Sequence, residues 1–272
     1  MNRIDLRFAE LAAAHRRGLI PFITAGDPSV DATVPIMHAL VEAGADLIEL
    51  GVPFSDPMAD GPVIQHASER ALSRGVGLSR ILGWLREFRT NDSTTPIVLM
   101  GYLNPIEIYG YEKFARDASS AGVDGTLIVD CPLEESATVN ALRTAGICQI
   151  LLAAPTTPDA RIAALRDRAE GFLYYLSFAG ITGANRLSVD AARTRVHAMK
   201  SSMRIPVAVG FGVRDAESAA AIGEFADAIV IGSALVEKLS GAKTAAAAAE
   251  AAKEFLAPIR QALDAVRPAH AA

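Results

Sequence analysis

The 272-residue sequence predicts an α/β protein closed into a (β/α)8, or TIM, barrel: one domain over residues 1–272 with an extra helix at the N-terminus. Three observations carry this expectation. Eight short apolar runs alternate with longer segments of helical periodicity. The runs are continuously apolar rather than alternating, as expected of strands covered on both faces. One phrase recurs where a helix ends and a strand begins, in "EAGADLIEL", "SAGVDGTLIV" and "FADAIVIG". A doubly wound open sheet is the structural rival, and the repeated phrase favours equivalent units around a barrel.

The elements follow in order. "MNRIDLRFAELAAAHRRG" mixes charges with apolar residues at helical spacing and supplies the extra helix. It lacks the apolar core of a signal peptide, so a cytoplasmic protein is expected. The strands are expected at Leu19–Thr24, Asp46–Leu50, Pro96–Gly101, Gly125–Asp130, Cys148–Ala153, Gly171–Leu176, Pro206–Gly210 and Ala228–Gly232. Helices are expected at Val30–Ala43, Ser79–Arg89, Tyr111–Ala121, Glu134–Ala145, Asp159–Glu170, Val189–Ser201 and Asp215–Gly223, with a last one within Ala245–Ala265. The Ala-rich run in that last segment reads as plain helix, since Ala has the highest helix propensity. The tail "RPAHAA" reads as frayed.

Composition excludes several functions. The net charge is −5 and no basic run exceeds two residues, which argues against a nucleic-acid partner. No apolar run reaches the ~18 residues of a membrane span. The two cysteines, Cys131 and Cys148, form neither a CxxC motif nor a Cys/His cluster, so no metal is expected and both read as reduced thiols. No strand carries a Lys, which removes a Schiff-base aldolase, and no Ser-His-Asp arrangement stands out. His38, His66 and His197 fall in helical patterns far apart in sequence and read as surface or core residues.

In a barrel the site lies at the C-terminal ends of the strands. Strand 2 places Glu49 one residue before its end, and the following loop carries Asp56 and Asp60. A barrel interior sometimes holds a polar side chain satisfied by neighbouring strands, and periodicity alone leaves that reading open for Glu49. Burying an unpaired carboxylate is costly, however, and burial raises its pKa toward the range useful for general acid–base work. Asp56 and Asp60 are also explicable as turn residues in "DPMADGP". Asp130 can cap the helix after strand 4. Three successive strand ends then carry glycines: "SFAGITGANR", "VGFGVRD" and "IGSALV". Glycines let backbone N–H groups approach an anion, and loops of this kind after strands 7 and 8 commonly hold phosphate.

The segments "PFITAGDP", "LIELGVPFSDPMADGPVIQ", "MGYLNPIEIYG", "IVDCPLEE", "AGITGA", "VGFGV" and "IGSALV" resemble, in order and spacing, the signatures of the tryptophan synthase alpha chain family. The resemblance covers nearly the whole chain, and the strand-2 segment is its most specific part. It implies a barrel lyase that splits indole-3-glycerol phosphate into indole and glyceraldehyde 3-phosphate by a retro-aldol step, with no cofactor in this chain. It also implies an α2β2 complex whose beta chain holds pyridoxal phosphate and receives the indole. Carried over by motif, the acid–base glutamate is Glu49, and the aspartate beside the indole N–H is Asp60. Tyr174 stands near the substrate. Phe22, Ile64, Met100, Leu127 and Thr182 contribute to the indole pocket, and Gly183, Gly212, Gly232 and Ser233 bind phosphate. The loops Pro53–Gly61 and Ala179–Leu187 are expected to act as mobile lids. The first, with Asn104, Pro105 and Pro132, is expected to face the beta chain. Phe178 and Cys131 depart from the family pattern without touching the proposed chemistry. Three alternatives stay open: a barrel enzyme acting on another sugar phosphate, a non-catalytic barrel that only activates a beta chain, and a stand-alone lyase that releases free indole.

Overall fold

The computed structural model describes residues 2–134, 140–176, 186–210 and 212–266. Its strands are β1 (Gly18–Thr24), β2 (Ile48–Gly51), β3 (Ile97–Gly101), β4 (Gly125–Ile128), β5 (Cys148–Gln149), β6 (Leu151–Ala153), β7 (Leu173–Leu176), β8 (Val207–Gly210) and β9 (Ala228–Ile231). All pairings are parallel, in the order β5-β4-β3-β2-β1-β9-β8-β7-β6. The two ends of that order are consecutive in sequence, separated only by Ile150. The fifth barrel strand changes partners there: β5 pairs with β4, β6 pairs with β7, and the Ile150 N–H still donates to the Thr126 carbonyl at 2.9 Å. The sheet thereby closes as a (β/α)8 barrel, and the single predicted strand Cys148–Ala153 is seen as two ladders.

The helices are α1 (Arg3–Ala13), α2 (Thr33–Glu42), α3 (Pro62–Leu72), α4 (Leu78–Arg89), α5 (Leu103–Tyr109), α6 (Tyr111–Ala121), α7 (Asn140–Thr144), α8 (Asp159–Arg166), α9 (Arg186–Ser202), α10 (Ala216–Gly223), α11 (Ser233–Ser240) and α12 (Ala245–Ala265). Three of these, α3, α5 and α11, were not anticipated. Helix α3 starts on Pro62 as its first residue after Gly61, so a helix start looks like loop composition. Helix α5 is only seven residues long and ends against Gly110 at φ 89°. Helix α11 begins inside the glycine-bearing "IGSALV" segment.

The strands carry two apolar faces. Outward residues such as Leu19, Ile23, Ile48, Leu50, Ile97 and Leu99 pack under the helices. Inward residues, including Ile20, Leu47, Val98, Leu127, Ile150 and Phe172, fill the barrel. Helix α1 belongs to the inner cluster through Ile4, Phe8 and Leu11, and Phe8 meets Phe172 at a centroid distance of 5.6 Å. The predicted extra helix is therefore a plug for the N-terminal mouth. Asn2 anchors it: its Oδ1 accepts from Ile4 N–H, and its Nδ2 donates to the carbonyls of Asp124 and Gly146.

The recurring phrase has a structural reason. Asp46, Asp124 and Asp227 each precede an even-numbered barrel strand and accept a backbone N–H from the first or second residue of the strand before it: Leu19 at 2.8 Å, Ile97 at 2.9 Å and Val207 at 2.9 Å. Each also donates its own N–H to the carbonyl of the same residue. A cation completes each clamp. Arg7 and Arg260 hold Asp46, Arg3 and Arg89 hold Asp124, and Lys200 holds Asp227. Glu170 repeats the arrangement before the sixth strand, accepting from Gln149 N–H at 3.2 Å and pairing with Arg143. Four equivalent clamps thus set the stagger of the barrel at its N-terminal rim, leaving the opposite rim for chemistry.

Candidate active site

Glu49 sits in the middle of β2, in register with Phe22 of β1 and Val98 of β3. Alternation along the strand sends Leu47 and Glu49 inward and Ile48 and Leu50 outward. Its exposure is 0 %, and neither carboxyl oxygen has a hydrogen-bond partner among the described residues. Burial alone pushes its pKa from 4.5 up to about 8. The carboxyl is therefore protonated at neutral pH, poised to give up a proton and take one back.

Above it, at the C-terminal rim, a cleft encloses about 280 Å³, open solvent at its mouth included. Phe22, Thr24, Gly51, Val52, Asp60, Ile64, Ser68, Met100, Gly101, Tyr102 and Val129 line it. Its lining mixes apolar side chains, Phe22, Val52, Ile64, Met100 and Val129, with polar ones, Thr24, Asp60, Ser68 and Tyr102. Glu49 does not line the cleft; it lies one interior layer below Gly51 on the same strand. Phe22, which faces Glu49 across the β1–β2 ladder, lines the cleft, and its ring packs so closely over Gly51 that a Cβ there would meet Cζ at 2.5 Å. Gly51 is thus required by the close approach of an aromatic ring.

Asp60 reaches the cleft from the loop after β2. That loop turns on itself, with Met58 N–H donating to the Asp56 carbonyl and Asp60 N–H to that of Pro57. Gln65 Nε2 holds the Asp60 carbonyl at 2.8 Å. The Asp60 carboxylate accepts from the Tyr102 hydroxyl at 3.1 Å, and the same hydroxyl accepts from Ala59 N–H at 3.0 Å. Burial raises the Asp60 pKa, and the Tyr102 bond works against the rise. Tyr102 had gone unnoticed in "MGYLNP"; an aromatic residue just past a strand end gave no sign of whose carboxylate it would meet.

The other expected site residues divide by depth. Phe22, Ile64 and Met100 line the cleft. Leu127 and Tyr174 lie inside the barrel below it. Burial first, and then the negative groups Glu49 and Asp60, drive the Tyr174 pKa well up, which puts this hydroxyl within the field of both acids. The Tyr174 hydroxyl presses on Gly210 of β8, where a Cβ would overlap it. Gly232 caps α11 without a side-chain bond, so the first N–H groups of that helix, beginning at Ser233, are uncapped by any side chain. A Cβ added at Gly232 would lie in ordinary contact with Phe22, 3.6 Å from its Cβ, so this helix start lies beside a residue that lines the cleft. Gly212 adopts φ 86°, which only glycine takes easily. Thr182, Gly183 and Phe178 lie outside the described residues, as does most of the Ala179–Leu187 loop. Asp130 accepts from Leu103 N–H at the start of α5, the helix after strand 3, and the chain just ahead of α7, the helix after its own strand, lies outside the described residues. Cys148 is pushed up to about 12 by burial, as an inert thiol would be. Among the described residues no group of three or more His, Cys, Asp or Glu could hold a metal ion, and no helix is long and apolar enough to cross a membrane.

A closed barrel holding a buried carboxyl without a partner among the described residues, below a rim cleft that carries a second acid, has the layout of a barrel enzyme. Comparison with known proteins narrows the class. The family model described as tryptophan synthase alpha chain matches residues 8–265. The tryptophan synthase alpha chain of Xylella fastidiosa (strain M12) is 57 % identical over 268 residues, covering 98 % of this chain and 100 % of the relative. That of Xanthomonas oryzae pv. oryzae (strain MAFF 311018) is 58 % identical over 266 residues, covering 97 % and 99 %. Among solved structures, tryptophan synthase subunit alpha from Legionella pneumophila str. Paris superposes with a TM-score of 0.90 at 43 % identity, covering 97 % of this chain and 99 % of that one. The chain belongs to the tryptophan synthase alpha chain family.

Proposed function

We propose that this chain cleaves indole-3-glycerol phosphate to indole and glyceraldehyde 3-phosphate, as the alpha subunit of a cytoplasmic α2β2 tryptophan synthase acting late in tryptophan biosynthesis. Residues 1–272 work as one barrel domain. The observation that carries the reading is Glu49: a carboxyl with no partner among the described residues, raised to about 8, below a cleft that also holds Asp60.

The steps balance on these residues. Neutral Glu49 gives its proton to C3 of the indole ring, which places positive charge on the ring nitrogen. The Asp60 carboxylate accepts from that N–H and stabilises the charge as it develops. The C3 bond to the glycerol chain then breaks, its electrons returning to the ring. Glu49, now ionised, takes the proton from the adjacent hydroxyl as the aldehyde forms, and ends as it began. The uncapped start of α11, with Gly232, Ser233, Gly212 and Gly183, holds the phosphate, and that grip fixes the reacting carbons. Phe22, Ile64, Met100, Leu127, Tyr174 and Thr182 enclose the ring. This chain needs no cofactor of its own; pyridoxal phosphate belongs to the beta chain. The Pro53–Gly61 loop, with Asn104, Pro105 and Pro132, faces that partner. The exposed apolar side chains Met58 and Ile108, on this loop and on α5, support that placement.

The test is indole release from indole-3-glycerol phosphate by the purified chain, with and without a beta chain. Glu49→Gln should abolish release while glycerol phosphate still binds. Near-normal turnover in this variant would remove Glu49 from the chemistry. Substrate binding without release by the wild type, beta chain present, would leave only a partner-activating barrel.

A further inference from the structure

We infer that Tyr102 is a positioning residue, fixing the direction in which the Asp60 carboxylate faces the cleft. The inference rests on the cleavage reading given above, and it deepens it by assigning a holder to the residue that meets the ring nitrogen.

The placement is specific. Tyr102 directly follows Gly101, the last residue of β3, so its backbone is set by the barrel rather than by a loop. Its ring is buried and packs on Phe54 at a centroid distance of 5.0 Å. Phe54 and Asp60 both belong to the segment that crosses from β2 to α3. The hydroxyl grips this segment twice, accepting from the Ala59 N–H and donating its only proton to Asp60 Oδ2. The two partners are consecutive residues, one bound through the backbone and the other through the side chain. A single hydroxyl therefore sets both the height of the loop and the rotation of the carboxylate.

No other described side chain donates to that carboxylate; Gln65 holds the Asp60 carbonyl instead. With Oδ2 committed to Tyr102, Oδ1 is left for a donor in the cleft. The bond also opposes a penalty. Burial favours the neutral form of Asp60, which could not stabilise a cationic ring, and a donor to the carboxylate favours the charged form. The deep burial of Tyr102 keeps its own hydroxyl protonated, so it remains a donor at any working pH.

Tyr102→Phe tests this. It keeps the ring, the stack on Phe54 and the cleft wall, and removes only the hydroxyl. The turnover number for indole release should fall roughly ten- to a hundredfold, the range for a hydrogen bond to a charged group, with KM changing far less. The acid limb of the turnover–pH profile should move to higher pH. A ¹³C-carboxyl titration of Asp60 without substrate should show its pKa raised in the variant. This last reading does not depend on turnover. Failure of the wild type to release indole sinks the cleavage reading, and the titration still decides the role of Tyr102. Unchanged Asp60 titration, or losses that multiply when Tyr102→Phe is combined with Asp60→Asn, would overturn the proposal. If Tyr102→Phe loses its cooperative melt, site-specific 3-fluorotyrosine at position 102 preserves the fold with a stronger donor. It should lower the Asp60 pKa, and a rise or no change there overturns the proposal equally.

Discussion

Replacing Glu49 by Gln removes one ionisable group and almost no volume, and the resulting change in stability should depend steeply on pH. In the folded chain the carboxyl is held at about 8, against an ordinary 4.5. In the unfolded chain it is solvated and titrates near the ordinary value. Between these two values the folded state keeps a proton that the unfolded state has lost. The wild type is therefore most stable, as far as this group is concerned, below the unfolded value. It loses stability as pH rises toward the folded value, and the loss levels off above it. Each pH unit in the interval costs about 1.4 kcal/mol, so the full span of about 3.5 units costs about 5 kcal/mol. That is a large share of the roughly 5–15 kcal/mol that holds a typical domain together. Gln never ionises and is exempt from the slope. Urea unfolding of both proteins, from about pH 5 to about pH 9, measures the difference at each pH. The Gln variant should gain on the wild type by several kcal/mol across that range. Parallel curves would refute the reasoning, because they would mean that Glu49 titrates alike in both states and is neither buried nor unpaired.

Two further substitutions follow from the packing. Asp124→Asn should cost about 3 kcal/mol or more in urea unfolding, because it removes the close carboxylate partner of the largely buried Arg89 and leaves only the longer 3.9 Å approach to Asp92. The equivalent Asp227→Asn, whose partner Lys200 is partly exposed, should cost about 1 kcal/mol or less, and equal costs would contradict the clamp description. Gly210→Ala should destabilise by about 1–3 kcal/mol, since the new methyl overlaps the Tyr174 hydroxyl, and Tyr174→Phe should recover part of the loss in a double-mutant cycle. Additive effects of the two would show that the overlap is not the cause.

The barrel was legible because its signal is redundant. Each of the eight apolar runs became strand, and the ends moved by only a residue or two at most positions. The phrase shared by Asp46, Asp124 and Asp227 was legible too, although its reason was not. A sequence shows an Asp ahead of a strand but not the N–H of the neighbouring strand that it accepts. Glu170 does the same work in a different phrase and so passed unseen. The elements that escaped notice are short and begin with turn chemistry. Pro62 after Gly61, and Ser233 after Gly232, read as loop because a helix start and a turn favour the same residues. The acids of the site were visible from type and position. Tyr102 was not, since its contact with Ala59 and Asp60 spans more than forty residues and has no periodicity to announce it.

The two ends of the barrel treat buried acids in opposite ways, and the contrast bears on what Glu49 is for. Asp46 and Asp124 are as well covered as Glu49, yet each accepts a backbone N–H and meets two arginines. Where this chain buries a carboxylate for structural reasons, it supplies the full complement of donors. Farther along the barrel, Glu49 receives none from the described residues. The inner wall there is built from Phe22, Val98 and their neighbours, and a Leu or Met in place of Glu49 would fill the same space without the desolvation cost. A structural acid would have drawn a partner, as the four rim acids did. An acid buried without a partner among the described residues, below a cleft that holds a second carboxylate, is the arrangement that the proposed proton transfer at Glu49 requires.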